Sequence, residues 1–201
     1  IVVEHSIVLA TLASIMAVGL GLLAAVMLYR YRFQGKQWVH LMLFILIILP
    51  DLVLGIALLI FYDACRIPLG FVSLLLAHVT FCLPFSCVII YNRLQQLDPY
   101  IIEAARDLSA TESMLYSKII VPLTFTSMLA AGLLSFTLSL DDVVISYFVS
   151  GPSYEILPLR IFSMVRLGIS PEINALCTIL LLFTFLLVLF AHTKLNAKSF
   201  I

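Results

Sequence analysis

Long apolar runs separated by short polar segments constrain the fold of this chain more than any other feature. The first run, residues 6–29, contains no charged side chain, and further runs cover residues 38–62, 70–92, 123–148 and 173–192. A helix of roughly 20 residues crosses the hydrocarbon core of a bilayer, which is about 30 Å thick. Each run is long enough for one such crossing. The chain is therefore predicted to be an all-α membrane protein with five membrane-spanning helices.

Composition agrees with this class and argues against several others. Hydrophobic residues make up 63% of the chain and charged residues 11%, whereas soluble domains are roughly 45–50% apolar and 25% charged. A net charge of zero argues against nucleic-acid binding. The Cys and His residues lack the spacing of a metal or catalytic site, and the sequence has no G-x-x-x-x-G-K-[ST] phosphate loop. We predict no catalytic residue, no metal site and no cofactor bound by this chain.

The first three runs carry signals for packing and anchoring. Small residues recur at helical spacing in the first run, at Ala13, Ala17, Gly21 and Ala24. Such a stripe predicts the close approach of another helix. In the second run, Trp38 and Tyr62 are placed as interfacial anchors, and Pro50 interrupts the helix near its middle. His78, in the third run, is interpreted as a hydrogen-bonded packing residue rather than a proton relay.

The polar stretch at residues 98–122 reads DPYIIEAARDLSATESMLYSKIIVP and cannot cross a bilayer. It predicts a first helix capped by Asp98 with Pro99 at its first position, a break at residues 109–111, and a second helix running towards Pro122. The apolar side of the first helix would carry Ile101, Ile102, Ala105 and Leu108. An apolar side facing water indicates a docking partner, although it could instead pack under the chain's own helices.

Lysine and arginine are unevenly distributed between the two sides of the predicted bundle. Eight of the eleven lie on the side of the 98–122 stretch, namely Arg30, Arg32, Lys36, Arg93, Arg106, Lys118, Lys194 and Lys198. The others are Arg66, Arg160 and Arg166. The positive-inside rule therefore predicts that the 98–122 stretch and the C-terminus are cytoplasmic. With the first run entering from outside, we expect a further span upstream of Ile1.

The segment from Glu103 to Pro122 resembles the cytoplasmic EAA loop of binding-protein-dependent ABC importer permeases. That pattern is Glu-Ala-Ala, three further residues to a Gly, and later Ile-x-Leu-Pro. The matching residues are Glu103, Ala104, Ala105, Ile120 and Pro122. Val121 stands in place of the Leu, and Ser109 in place of the Gly. Because Ser109 and Glu112 have the S-x-x-E spacing of a capping box, Ser109 is expected to cap the second helix.

This resemblance implies a type I ABC importer permease helix bundle that forms one transmembrane domain over residues 1–201. In the family, the loop, here residues 93–122, sits in a cleft on the ATPase subunit and transmits its motion to the membrane helices. The residues expected to couple are Glu103, Ala104, Ala105, Asp107, Ser109, Glu112 and Pro122. The implied partners in the bacterial inner membrane are a homologous permease, two ATPase subunits carrying ATP and Mg, and an extracytoplasmic binding protein.

Four further segments resemble the spermidine/putrescine permeases within this family. They are YRYRF at 29–33, LPD at 49–51, HVTFCLP at 78–84 and LSFTLSLDDVVISYFVSGPSYEILPL at 134–159. The similarity extends over essentially the whole chain and implies polyamine import with a polyamine-binding protein as partner. Two alternatives stay open: a permease of the same family for another substrate, and a secondary cation transporter. No internal repeat typical of a secondary transporter is visible in the runs.

Carboxylates inside the predicted spans fit a cationic substrate. A charged side chain at mid-membrane costs about 2.5–3.5 kcal/mol on insertion scales, so it usually faces a pathway or a partner. We predict that the cation pathway includes Asp51, Ser139, Asp141 and Asp142. Alternatively, the Asp141–Asp142 pair caps a helix and faces water outside the membrane. Asp51 could likewise be satisfied by backbone groups freed at Pro50, or by a partner subunit.

Overall fold

A computed structural model of the protein describes residues 1–98, 100–152 and 154–167, together with positions 175, 178, 179, 181, 182 and 185. The elements with described bounds are all helical. They are α1 (Val2–Arg30), α2 (Lys36–Ile48), α3 (Asp51–Ala64), α4 (Phe71–Gln95), α5 (Tyr100–Asp107), α6 (Glu112–Met114), α7 (Val121–Asp141), α8 (Val144–Val149) and α9 (Leu157–Leu167). A π-helical turn, Leu115–Ile120, joins α6 to α7.

By its internal contacts the chain divides into two compact units, Ile1–Pro158 and Leu159–Ile201. The candidate sites described below belong to the first unit. The predicted fifth span, residues 173–192, falls mostly outside the described residues, as do Lys194 and Lys198 at the C-terminus. A single transmembrane domain over the whole chain stays a prediction.

Three helices in the described part of the chain are long and apolar enough to cross a membrane: Val2–Arg30, Phe71–Gln95 and Glu112–Asp141. The first two correspond to the predicted first and third spans. The predicted second span is instead the pair α2 and α3, which meet at an angle of 113°. The ring of Pro50 disfavours helical geometry at the residue before it, and Leu49 is accordingly extended. If this bent pair is one span, the described residues contain four.

The predicted fourth span, residues 123–148, is wrong at both ends. Its helix starts at Glu112 rather than after Pro122, and it ends at Asp141, where the extended backbone of Asp142 separates α7 from α8. A helix usually breaks or kinks at proline, because the ring clashes with the preceding turn and offers no N–H. Here a wider π turn at Leu115–Ile120 ends two residues before Pro122, and the helix continues through the proline.

The core of the first unit lies between α1, α4 and α7. The small-residue stripe on α1 faces this core, with Ala13 and Ala17 fully buried. An added Cβ at Gly21 would lie 2.8 Å from the Ser86 Cβ and 3.0 Å from the Cys87 nitrogen of α4. The stripe therefore permits the close helix contact that the sequence predicts. Ala24, the last predicted member of the stripe, is only partly buried, and its neighbour Ala25 is buried instead.

The two predicted interfacial anchors differ in their surroundings. Trp38, at the start of α2, is 68% exposed, as an anchor requires. Tyr62 is only 2% exposed, and its hydroxyl has no hydrogen-bond partner among the described residues. The prediction of an interfacial anchor was therefore wrong for Tyr62. The position of Tyr62 at the end of an apolar run does not reveal that α3 packs against α8, or that Tyr62 is buried.

The close contact at Gly21 can be tested with a matched pair of glycines on α1. We expect Gly21→Ala to lower the free energy of unfolding by about 1–3 kcal/mol, because the added methyl group overpacks the contact with α4. Gly19→Ala is the control, since nothing lies within 4 Å of an added Cβ there. It should be neutral or slightly stabilising, because Ala favours the helix over Gly. Denaturant titration in mixed micelles measures both variants, and equal effects would contradict the packing described.

Candidate functional site

The break between α7 and α8 is built around the buried carboxylate of Asp142. Its Oδ1 accepts a hydrogen bond from the Ile145 N–H at 3.2 Å. Its Oδ2 accepts one from the Ser146 N–H at 2.8 Å and another from the Ser146 hydroxyl at 2.7 Å. The Ile145 and Ser146 N–H groups are backbone donors of the first turn of α8, which have no partner within that helix. Asp142 is thus a helix cap, but one buried within the protein rather than facing water.

His78 of α4 joins this cap to the end of α7. Its ring is 1% exposed, and its Nδ1 lies 2.6 Å from the Ser139 hydroxyl. Its Nε2 lies 2.9 Å from the Ser146 hydroxyl and 3.6 Å from the Asp142 Oδ2. His78 is therefore a hydrogen-bonded packing residue, as the sequence predicts. The identity of its partners could not be predicted, because they lie 61 to 68 residues away along the chain.

The other two predicted pathway carboxylates, Asp51 and Asp141, are exposed. Asp51 begins α3, which packs closely on α8: an added Cβ at Gly55 would lie 2.8 Å from the Phe148 ring. This packing brings Asp51 close enough to act electrostatically on Asp141, as the neighbouring Asp142 also does. The structure therefore places Asp51 within electrostatic range of Asp141, although the two residues are far apart in the sequence. Among the described residues, no Lys or Arg forms an ion pair with any of them.

The predicted coupling loop begins as expected and then departs from the prediction. The Asp98 carboxylate accepts a hydrogen bond from the Tyr100 N–H at 2.9 Å and so caps α5; Pro99 itself lies outside the described residues. The side chains of the predicted apolar side differ in their exposure. Ala105 is buried and Ile101 and Ile102 are partly buried, whereas Leu108 is 85% exposed. The exposed apolar groups here are therefore Leu108, just after α5, and the 70% exposed Tyr100 at its start.

In the turn after α5, the predicted capping box with Ser109 is wrong. The cap of α6 is Thr111, whose hydroxyl accepts a hydrogen bond from the Met114 N–H at 3.3 Å. Ser109 does not cap this helix; its backbone is left-handed, with φ of 60°. Glycine adopts that conformation without steric cost, which explains why the family pattern has glycine there. The remaining predicted coupling residues Glu103, Ala104, Asp107 and Pro122 are exposed.

Glu112 links the loop to the first membrane helix. Its carboxylate lies 2.7 Å from an Arg30 guanidinium nitrogen at the end of α1, and 3.1 Å from Arg106 of α5. The Arg30 side chain is only 7% exposed, while Glu112 is 59% exposed. The ion pair therefore connects α1, α5 and the helix that starts at Glu112. Sequence reasoning identified Glu112 but missed Arg30, which is 82 residues away and looked like an ordinary flanking charge.

Comparison with known proteins adds independent information. Residues 17–199 match the family described as binding-protein-dependent transport system inner membrane component. Over 196 residues the chain is 52% identical to the spermidine/putrescine transport system permease protein PotC of Escherichia coli K12, covering 98% of this chain and 74% of that protein. It is 42% identical over 183 residues to the putrescine transport system permease protein PotI of the same organism, covering 88% and 65%.

A solved structure shows the same fold. It is an inward-facing conformation of the MetNI methionine ABC transporter, which matches with a TM-score of 0.79 at 17% identity. The match covers 96% of this chain and 92% of that one. The predicted fold, an all-α ABC importer permease bundle in the membrane, is therefore confirmed.

The burial of Asp142 distinguishes it from its neighbour. We expect Asp142→Ala to lower the free energy of unfolding by about 1–3 kcal/mol, because buried donors of α8 lose their acceptor. Asp141→Ala is the matched control, and its exposed side chain should change stability by no more than about 0.5 kcal/mol. Denaturant titration in mixed micelles measures the difference. Equal losses in the two variants would show that the carboxylate of Asp142 is not a buried cap.

Proposed function

The chain belongs to the family of binding-protein-dependent transport system inner membrane components, and we propose that it is a permease subunit of an ATP-driven polyamine importer. The observation that carries the proposal is the group of three carboxylates, Asp51, Asp141 and Asp142, at the α7–α8 break. The names of two similar proteins, which specify spermidine and putrescine, support the substrate class. Polyamines are flexible apolar chains with several ammonium groups, and carboxylates are the natural partners of ammonium groups.

The three carboxylates differ in the roles that we assign to them. Asp51 and Asp141 are exposed, so their oxygens are free to replace water around a passing ammonium group. Asp142 and Ser139 are buried and bonded in this conformation, and they hold the end of α7 in place through His78. The proposed pathway therefore has two carboxylates that contact the substrate and a third, Asp142, that holds the α7–α8 break in position.

Energy for import would come from partner subunits. We place a homologous permease beside this chain, two ATPase subunits with ATP and Mg at its cytoplasmic face, and a polyamine-binding protein outside. The excess of Lys and Arg around residues 93–122 supports a cytoplasmic location for this loop. Leu108 and Tyr100 supply the apolar surface for docking. The ion pair of Glu112 with Arg30 would then transmit movement of the loop to α1.

Uptake by the complete reconstituted complex tests the proposed function. We expect labelled spermidine or putrescine to enter proteoliposomes only when ATP is supplied to the ATPase side. Unlabelled polyamines should compete, whereas amino acids and sugars should not. The reverse pattern of competition would overturn the substrate class. Uptake by vesicles that lack the ATPase subunits would instead favour a secondary carrier.

The same assay tests the pathway carboxylates. Asp51→Asn and Asp141→Asn should each lower uptake about tenfold or more, because a hydrogen bond to a charged group contributes roughly 1.5–3 kcal/mol. Asp63→Asn is the matched control, since Asp63 is an exposed carboxylate at the other end of α3. The variants should assemble normally with their partners. Wild-type uptake by both the Asp51 and the Asp141 variants would remove these residues from the pathway.

Three substitutions in the loop distinguish docking of the ATPase from transmission of its movement. Leu108→Asp should release the ATPase subunits, because a charge replaces the exposed apolar contact, and Glu103→Lys should weaken the same docking. Glu112→Gln should leave the ATPase bound but lower the amount of polyamine imported per ATP hydrolysed, because the ion pair with Arg30 is lost.

Co-purification of the ATPase and the ratio of uptake to hydrolysis measure the two effects. Leu108→Met, which keeps the apolar contact, should behave as wild type. Retention of the ATPase by the Leu108→Asp variant would contradict the proposed docking surface. Unchanged coupling in the Glu112→Gln variant would show that the ion pair does not transmit movement.

A further inference from the structure

A cavity lies at the turn between α1 and α2, on the same end of α1 as the coupling loop. Its volume is about 390 Å³. The side chains that line it include Arg32, Lys36, Gln37, His40, Phe33 and Trp38. It thus combines two cationic groups with two aromatic rings and includes no carboxylate. The residues of the proposed pathway and of the coupling loop do not contribute to it.

The two cations of this cavity differ from the neighbouring Arg30. Arg30 is paired with Glu112 and nearly buried. By contrast, no carboxylate in the described part of the chain lies within ion-pair distance of Arg32 or Lys36. The first turn of α2 also lacks an acidic residue. Two unneutralised cations that face one cavity favour an anionic ligand.

The surface next to the cavity is suited to acyl chains. Along α2, which starts at the cavity, Leu41, Met42 and Ile45 are all exposed, and only Leu43 is buried. Trp38 also lines the cavity and is 68% exposed, and tryptophan is the residue type that favours the boundary between headgroups and acyl chains. A soluble anion would make no use of this apolar surface. A phospholipid would use both parts, with its headgroup in the cavity and its chains along α2.

We propose that this cavity is a binding site for the phosphate headgroup of an anionic phospholipid. Arg32 and Lys36 would bind the phosphate, and Trp38 would fix the depth of the headgroup. Basic pockets at the membrane surface are known to recognise such headgroups. The site is independent of polyamine transport, since it shares no residue with the proposed pathway.

The experiment measures the lipid retained by the purified complex of permeases and ATPases. The complex is equilibrated with equal amounts of phosphatidylglycerol and phosphatidylcholine of identical acyl chains, and bound lipid is counted by native mass spectrometry. We expect the wild type to retain phosphatidylglycerol preferentially. The Arg32→Gln/Lys36→Gln double variant should lose this preference, by about fivefold for each charge removed.

Three comparisons make the result specific. Arg66→Gln removes an exposed arginine that does not line the cavity, so this variant should retain the lipid as the wild type does. Arg32→Lys keeps the charge and should retain most of it, which separates loss of binding from misfolding. An excess of inorganic phosphate is the third arm. Displacement of the lipid by phosphate would identify a soluble anion as the ligand and overturn the assignment to lipid, as would equal retention by the double variant and the wild type.

Discussion

The hydrogen bonds of the buried Asp142 carboxylate hold the start of α8 next to the end of α7. Backbone donors at a helix end inside a membrane protein must be satisfied by the protein itself, because each unpaired group costs several kcal/mol. Asp142 accepts hydrogen bonds from two of them in α8, at Ile145 and Ser146, and His78 ties the cap to α4 and to Ser139. The exposed position of Asp141 depends on this arrangement, because it is the last residue before the break.

One helix connects the two polar regions of the molecule. The segment from Glu112 to Asp141 contains 30 residues, which corresponds to about 45 Å at 1.5 Å per residue. Its first residue pairs with Arg30 beside the coupling loop, and its last lies among the proposed pathway carboxylates. In the proposed mechanism, a movement at the loop is therefore carried along a continuous helix to the pathway. The π turn before Pro122 is the one irregular element in this connection.

Local rules predicted several features of the fold and site correctly. Run length and hydropathy identified α1 and α4, the proline at position 50 marked the bend, and Asp98 was recognised as a cap. The same rules were wrong where the structure depends on contacts beyond neighbouring residues. They placed the cap of α6 at Ser109 instead of Thr111, ended the loop helix at Pro122, and assigned Tyr62 to the interface. In each case the outcome depends on the backbone conformation of a turn or on packing between helices, and the spacing of neighbouring residues does not contain this information.

The sequence by itself determined the class of protein, its helical content and its resemblance to importer permeases. These follow from apolar run length, the charge distribution and one loop motif, all of which are properties of neighbouring residues. Only the tertiary structure decided which polar groups meet. The pairing of Arg30 with Glu112, the contact of His78 with Asp142, and the proximity of Asp51 to Asp141 join residues far apart in the chain. Such contacts depend on how whole helices pack, and no local periodicity encodes them.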